Sequence, residues 1–234
     1  MNNTNRAKRF SKGFTIIELM IATVIFSLLL LICLNALVQI SRAYYKGISS
    51  SKAQEAARSI ADELSQSIQL SSDRIMSTIG PAGPQVTAGD DASGILCVGY
   101  RSYTYAIDRQ AVNNTSAVPV DKEIRNVMVR RDLNTCCDQS NANAYKVDLT
   151  NPISGSDKSM VGENMRLSRL RVAPVAGTDG RLWEIQVAIV YGDTDLIDVD
   201  PSNSGRVICR SGTGTEFCAL AEVNTVVKRR FGSR

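Results

Sequence analysis

Between Leu19 and Ser41 the chain carries no charged residue, and the core of that run reads LMIATVIFSLLLLICLNALVQI. As an α-helix, Phe14 to Ile40 would be about 40 Å long, more than the roughly 30 Å hydrocarbon core of a bilayer. The segment can therefore span a membrane once. The other residues cannot repeat the feat, because the mean hydropathy of the whole chain is only −0.07. With 44% apolar and 21% charged residues, they have the composition of a folded domain. A chain of 234 residues thus reads as one domain with an apolar appendage.

The charges sharpen this division. Residues 1–13 hold Arg6, Lys8, Arg9 and Lys12 and no acid. Without those four, the remaining basic residues balance the 23 acidic ones, so the net charge of +4 belongs to the first 13 residues. Lys228, Arg229, Arg230 and Arg234 read as a solvated tail. A nucleic-acid-binding face needs more positive charge than this, so direct nucleic-acid binding is disfavoured. Basic residues before the span outnumber Arg42, Lys46 and Lys52 after it only slightly, which favours a cytoplasmic N-terminus. A cleaved secretory signal fits poorly, since Ala36-Leu37-Val38 and Ser41-Arg42-Ala43 are poor cleavage sequences. A lipoprotein signal fits no better, because Ile32 is too large for the position before Cys33.

Glu18 is the residue that a plain anchor does not explain. A carboxylate at bilayer depth costs on the order of 2.5–3.5 kcal/mol on insertion scales and needs a partner. It closes the string Arg9-Phe-Ser-Lys-Gly13-Phe14-Thr15-Ile16-Ile17-Glu18-Leu19. Basic residues, a glycine, an apolar residue, a glutamate four positions on and then an unbroken apolar helix resemble the signature of type IV prepilins, over residues 8 to about 40. The resemblance implies cleavage by a membrane prepilin peptidase at Gly13–Phe14 and N-methylation of Phe14. Gly13, without a side chain, lets the backbone lie extended in a protease cleft. The resemblance also implies that Glu18 pairs with the Phe14 amine of a neighbouring subunit, a contact that sets axial register more than it adds stability. Until then the first helical turn favours its negative charge. Phe14 to Gly47 contains no proline, a departure from many family members, which leaves Ser27 and Asn35 as the soft points of the helix and Asn35 as a hydrogen-bonding side chain for a neighbouring helix.

Beyond the span, Ala53, Ala57, Ile60, Leu64 and Ile68 recur at helical spacing as one apolar stripe, with Lys52, Glu55, Arg58, Asp62 and Glu63 on other faces. The helix is expected to run from Arg42 to about Ser72, until Gly80-Pro81-Ala82-Gly83-Pro84 breaks the pattern. Past that break the chain reads as strands over 95–100, 102–107, 124–130 and 223–230. A hairpin is expected from 165–175 and 181–191, turning at Gly177-Thr178-Asp179-Gly180. In its second arm Trp183, Ile185, Val187, Ile189 and Tyr191 share one face, with Glu184 and Gln186 on the other. The fold class is α+β, a long N-terminal helix packed on an antiparallel sheet, as the pilin resemblance also implies. The divisions are a leader over 1–13, a transmembrane and assembly helix over 14–41, its amphipathic continuation over 42–79, and an extracytoplasmic β-rich head over 80–234.

Cys33 lies within the apolar run and reads as a lone small hydrophobe. Cys97, Cys136, Cys137, Cys209 and Cys218 would lie outside the cytoplasm, where they can oxidise. Cys209 and Cys218 enclose a short loop with two glycines, which resembles the disulfide-bounded C-terminal loop of many type IV pilins. Cys97 with Cys136 or Cys137 is a second pairing. A zinc site from Cys136, Cys137, Cys209 and Cys218 lacks C-x₂-C spacing and any histidine. Asp193, Asp195, Asp198 and Asp200 alternate in a way that suits calcium, but the glycine and terminal glutamate of an EF-hand are missing, and a solvated loop is the simpler reading.

Nothing in the sequence marks an enzyme. The absence of histidine removes His-based triads and the usual proton shuttle. Ser154-Gly-Ser156 and Ser211-Gly-Thr-Gly214 lack the lysine of a phosphate cradle. No carboxylate pair stands out as acid and base, and no cofactor is expected. The resemblance implies a structural minor pilin, in a tip or priming complex, or a pseudopilin of a secretion or competence system. A single-pass, membrane-anchored binding protein is the reading from another class. Implied partners are the prepilin peptidase, other pilins or pseudopilins, an inner-membrane assembly platform and, before assembly, the lipid bilayer.

Overall fold

The computed structural model describes residues 13–71, 75–77, 93–107, 110–111, 123–124, 127–134, 145, 147–149, 153, 155–200, 206–212 and 214–230. Helix α1 runs from Ile16 to Leu70. It contributes to two compact units, Met1–Tyr44 and Tyr45–Arg234. In the first unit the described large apolar side chains are all exposed. Their exposure ranges from 46% at Leu30 to 82% at Phe14. This is the one helix among the described residues that is long and apolar enough to cross a membrane.

In the second unit the helix becomes a core element. Ala53, Ala57, Ile60, Leu64 and Ile68, the stripe read from spacing, are each 0% exposed. Burying Ile60, Leu64 and Ile68 contributes about 1.5–3 kcal/mol each relative to exposure. Alanines at 53 and 57 leave room for the sheets to approach the helix closely. The helix stops at Leu70, short of the expected Ser72 and well short of residue 79, because Ile75–Ser77 is extended and joins a sheet.

The strands are β1 (Ile75–Ser77), β2 (Ser93–Val98), β3 (Arg101–Ala106), β4 (Gln110–Ala111), β5 (Glu123–Ile124), β6 (Met128–Asp132), β7 (Lys158–Ser159), β8 (Met165–Pro174), β9 (Leu182–Tyr191), β10 (Ile197–Asp200), β11 (Arg206–Cys209) and β12 (Ala219–Lys228). They form a five-stranded sheet ordered β1-β2-β3-β6-β7, a second ordered β12-β9-β8-β4-β5, and the two-stranded β10-β11 ribbon. Every pairing is antiparallel except β4 with β5. One core joins the helix stripe to Leu96, Tyr103 and Met128 of the first sheet and to Leu167, Leu170, Ile185, Val187 and Ile189 of the second. This is the α+β, pilin-like arrangement of a long helix packed on antiparallel sheets.

The hairpin β8–β9 turns where the glycines lie. Asp179 and Gly180 both have positive φ, Val175 N donates to Leu182 O at 2.9 Å, and Trp183 Nε1 donates to Gly180 O at 2.9 Å. Three expectations change, the first being the strand read over 124–130, whose start belongs to β5 (Glu123–Ile124) in the second sheet and whose end belongs to β6 (Met128–Asp132) in the first. Strand β12 starts at Ala219 rather than Val223, since it pairs with β9 over ten residues, from Ala219 opposite Tyr191 to Lys228 opposite Leu182. The acidic stretch after β9 is not all loop. Ile197–Asp200 forms β10, and Ile197, Val207 and Cys218 cover Val190 on the face of β9 turned away from the helix. Alternation of Ile197 and Val199 with Asp198 and Asp200 carried that strand signal, which the four aspartates obscured.

Candidate functional site: the helix start and the disulfide loop

At the start of α1, Thr15 and Glu18 close on each other. Thr15 N donates to Glu18 Oε2 at 2.9 Å and Thr15 Oγ1 donates to the same oxygen at 2.8 Å. In return Glu18 N donates to Thr15 Oγ1 at 3.3 Å. This is a capping box, in which a Thr-x-x-Glu sequence satisfies two of the orphan amides of a helix N-terminus. The sequence Thr15-Ile-Ile-Glu18 carries this spacing, beside the position of Glu18 at the edge of the uncharged run. Gly13 lies just outside the helix, exposed and with no heavy atom within 4 Å of where a Cβ would sit. Phe14 is likewise exposed.

Further along, the polar side chains of the run fold back on their own helix. Thr23 Oγ1 donates to Met20 O at 2.9 Å, Ser27 Oγ to Thr23 O at 2.8 Å and Asn35 Nδ2 to Leu31 O at 3.0 Å. Asn35, expected to serve a neighbouring helix, uses one donor internally and keeps its amide oxygen for such a contact. Cys33 is a free, exposed thiol.

In the second unit, Cys209 at the end of β11 and Cys218 just before β12 are disulfide-bonded, with Cα atoms 5.8 Å apart. That bond takes two thiolates from the alternative zinc set. Within the loop, Gly214 has φ +92°, a conformation that favours glycine, and it starts a 3-10 turn over Thr215–Phe217. Arg210 N donates to Leu196 O at 2.8 Å, and a Cβ at Gly192 would lie 3.2 Å from the Cys218 sulfur, so the loop seats on the 192–197 segment. The turn presents Phe217 to Tyr45 of the helix, ring centroids 5.2 Å apart and tilted by 48°. Nearby on the helix, Lys52 Nζ is 3.3 Å from Tyr191 Oη and 5.1 Å from the centre of its ring. Cys97 is also disulfide-bonded. Its expected partners Cys136 and Cys137 lie outside the described residues.

Of the four aspartates, the three whose side chains are described do not form a cage. Asp193, Asp195 and Asp198 are exposed, Asp198 sits 3.8 Å from Arg210 Nε, and the Asp200 side chain lies outside the described residues. Among the described residues no group of three or more Asp, Glu or Cys side chains is placed to hold a metal ion.

One polar cluster went unnoticed in the sequence because its members are scattered. Glu63 of α1 accepts from Arg101 Nη1 at 2.9 Å and from Arg130 Nη1 at 3.1 Å. Asp132 lies 3.3 Å from Arg101 and 2.9 Å from Arg130. Tyr103 Oη and Ser67 Oγ are 2.6 Å apart. Burial pushes the Tyr103 hydroxyl up to about 12, and the Glu63 charge adds to that. Burial works against the charged form of Arg130, but Asp132 and Glu63 outweigh it and the net shift is upward. Arg131, bridging to the almost buried Asp157 at 2.7 Å, is likewise raised by that hydrogen bond. The cluster fixes the helix to the first sheet. Each charge has a protein partner, and Arg101 also lines, with Ser67, Ser71 and Tyr100, a cavity of about 170 Å³ between the end of α1 and the β2–β3 turn.

A capped helix start that bears one acid, with an uncharged run over 19–41 after it and a glycine and basic residues before it, has the order of a prepilin-type segment. Residues 8–34 match the family model described as the prokaryotic N-terminal methylation motif. The chain thus carries the N-terminal motif of the type IV pilin-like superfamily, which points to a structural protein of the pilin and pseudopilin kind. No curated protein and no solved structure matches the chain.

Proposed function

We propose that this chain is a prepilin, cut by a prepilin peptidase at Gly13–Phe14 and N-methylated on Phe14, whose mature form is a structural minor pilin of a type IV pilus-like filament. The observation that carries the reading is the match over residues 8–34, with Glu18 as the one acid at the head of the uncharged run. Cleavage removes Arg6, Lys8, Arg9 and Lys12 and creates an α-amine four residues before Glu18. In the free subunit Glu18 is held by Thr15. On assembly it exchanges that partner for the Phe14 amine of the neighbour, while apolar helices bundle through packing. Before assembly the subunit waits in the bacterial cytoplasmic membrane with its head outside. The Cys209–Cys218 bond supports that placement, because disulfides persist in oxidising compartments.

The size of the head and the absence of proline from Phe14 to Gly47 favour a minor component, placed in a tip or priming complex, over the major subunit. The partners are the peptidase, other pilins and an inner-membrane assembly platform. Mass analysis of the mature N-terminus tests the reading. N-methylated Phe14 is the expected first residue. Recovery of the chain from a pilus-bearing cell with residues 1–13 still attached would refute it.

A further inference from the structure

We propose that, before assembly, two copies of this chain pair in the bilayer along one face of the apolar helix, with the Asn35 side chain of one copy hydrogen-bonded to the Asn35 side chain of the other. The inference rests on the membrane-anchored reading above and adds a resting partner, a seam and a register that differ from those of the filament.

Polar side chains in hydrocarbon need partners, because lipid offers none. The run from Leu19 to Ile40 is about 33 Å long as a helix and fills the roughly 30 Å core of a bilayer. Inside it, Thr23 Oγ1 and Ser27 Oγ each have one proton, and each gives it to a carbonyl of its own helix. Asn35 has two N–H donors and a carbonyl oxygen. One donor goes to Leu31 O at 3.0 Å; the second donor and the oxygen enter no contact among the described residues. Asn35 lies about 7–8 Å before Ile40 along the helix, too deep for its short side chain to reach the headgroups. Gln39, beside Ile40, has the length and the position to do so.

The face that carries Asn35 has the pattern of a helix seam. Ile21, Val24, Leu28, Leu31 and Val38 fall within about 60° of it around the helix, and they are 51–59% exposed. Together with Asn35 they follow one another at alternating steps of three and four, the a/d series of a two-stranded coil, with Asn35 at an a position. A single asparagine at such a position specifies register at a cost in stability. The next position of the series is Arg42, whose charge ends the seam.

Symmetry selects the occupant. Copies inserted with the same topology run parallel, so a two-fold axis along the membrane normal sets each residue opposite itself at one depth. A carboxamide is its own complement. The remaining N–H of each Asn35 meets the oxygen of the other, whereas a wholly apolar helix would leave both groups bare. This register is not that of the filament proposed above. There Glu18 meets the Phe14 amine of a neighbour, an offset of about 6 Å along the axis, and Asn35 no longer faces Asn35. The Asn35 pair is therefore a resting state that incorporation must break.

The test uses the full chain in phosphatidylcholine vesicles with no other protein present. Flotation with the vesicles in alkaline carbonate checks the anchor by itself. Energy transfer between chains labelled at the α-amine with donor or acceptor, followed as added lipid dilutes the protein, reads the pairing. Asn35→Leu is expected to lower the association constant about 3- to 30-fold, the range of interhelical side-chain hydrogen bonds in membranes. Asn35→Gln keeps the amide and is expected to recover part of the loss. Oxidative cross-linking reads the seam. In a Cys33→Ala background, Leu31→Cys is expected to give a covalent dimer. Cys33 itself, an exposed thiol about 160° around the helix from Asn35, is expected to give no more dimer than the Cys33→Ala chain. If the chain floats but Asn35→Leu pairs as tightly as the unsubstituted chain, or Cys33 cross-links as readily as the Leu31→Cys chain, the proposal is wrong and the anchor stands. If the chain does not float, the anchored reading falls and the pairing with it. If, in cells, the Leu31→Cys chain cross-links to a different protein and never to a second copy, the seam belongs to another helix and the proposal is overturned.

Discussion

Replacing Tyr103 by phenylalanine gives a stability difference that should change sign with pH. Tyr103 is 0% exposed, and its hydroxyl contacts Ser67 Oγ at 2.6 Å. At neutral pH the substitution removes that hydrogen bond. Ser67 keeps a donor from Arg101 Nη1 at 2.9 Å, so no buried group is left wholly bare and the cost is about 1 kcal/mol. In alkali the balance shifts. The tyrosine titrates near 10 when unfolded and at about 12 when folded. Between those values the unfolded chain loses the proton that the folded chain keeps, so stability falls as pH rises, by about 1.4 kcal/mol per unit. Below pH 10 the contribution is complete; above 12 it is gone. The advantage of the unsubstituted protein over Tyr103→Phe should thus vanish between about pH 10 and 11 and then reverse. Urea unfolding of the detergent-solubilised full chain at pH 8, 9, 10 and 11, followed by far-UV circular dichroism, measures this difference. A gap that stays constant from pH 8 to 11 would refute the assignment of a protonated, water-excluded hydroxyl to Tyr103.

Three further outcomes are expected. Gly13→Leu should leave a membrane-bound precursor of full length, visible as a slower band on an immunoblot; normal trimming would count against the cleavage site. Glu18→Ala should be processed but recovered at least tenfold less in sheared filaments, and because it also opens the capping box, Thr15→Ala, which costs about 1 kcal/mol of helix-end stability, separates the two effects by keeping its incorporation. Cys209→Ser should destabilise the head by about 2–3 kcal/mol, as expected for a loop of this length, measured by chemical denaturation beside the same protein under reducing conditions, where the difference should disappear.

The helix was legible because its signal is long and simple. An uncharged run of more than twenty residues and a stripe of Ala53, Ala57, Ile60, Leu64 and Ile68 each repeat one rule several times. The same holds for β9, where five apolar residues alternate. Local chemistry that rests on two residues was easier to overlook. Thr15 and Glu18 are three apart and fit the capping-box spacing, but a glutamate at the edge of an uncharged run fits an intramembrane acid as well. Strand β10 was hidden because its apolar residues alternate with Asp198 and Asp200 in sequence, and acidity reads as loop. The cluster of Glu63, Arg101, Arg130 and Asp132 could not be read at all. Its members come from one helix and two strands, and only the register of β3 with β6, Tyr103 opposite Arg130, brings them together.

The residues that follow β12 close the end of the helix. Arg230 N donates to Gln69 O at 3.3 Å, and the Arg229 guanidinium donates to Ser71 O across 158 positions of sequence. A ribosome adding ~5–20 residues per second takes roughly 8–30 s to cover that separation. During this interval the greasy first segment is already made while the head still lacks β12. The order of events is thus built into the connectivity: insertion can run during translation, but the head closes only after β12 has been made.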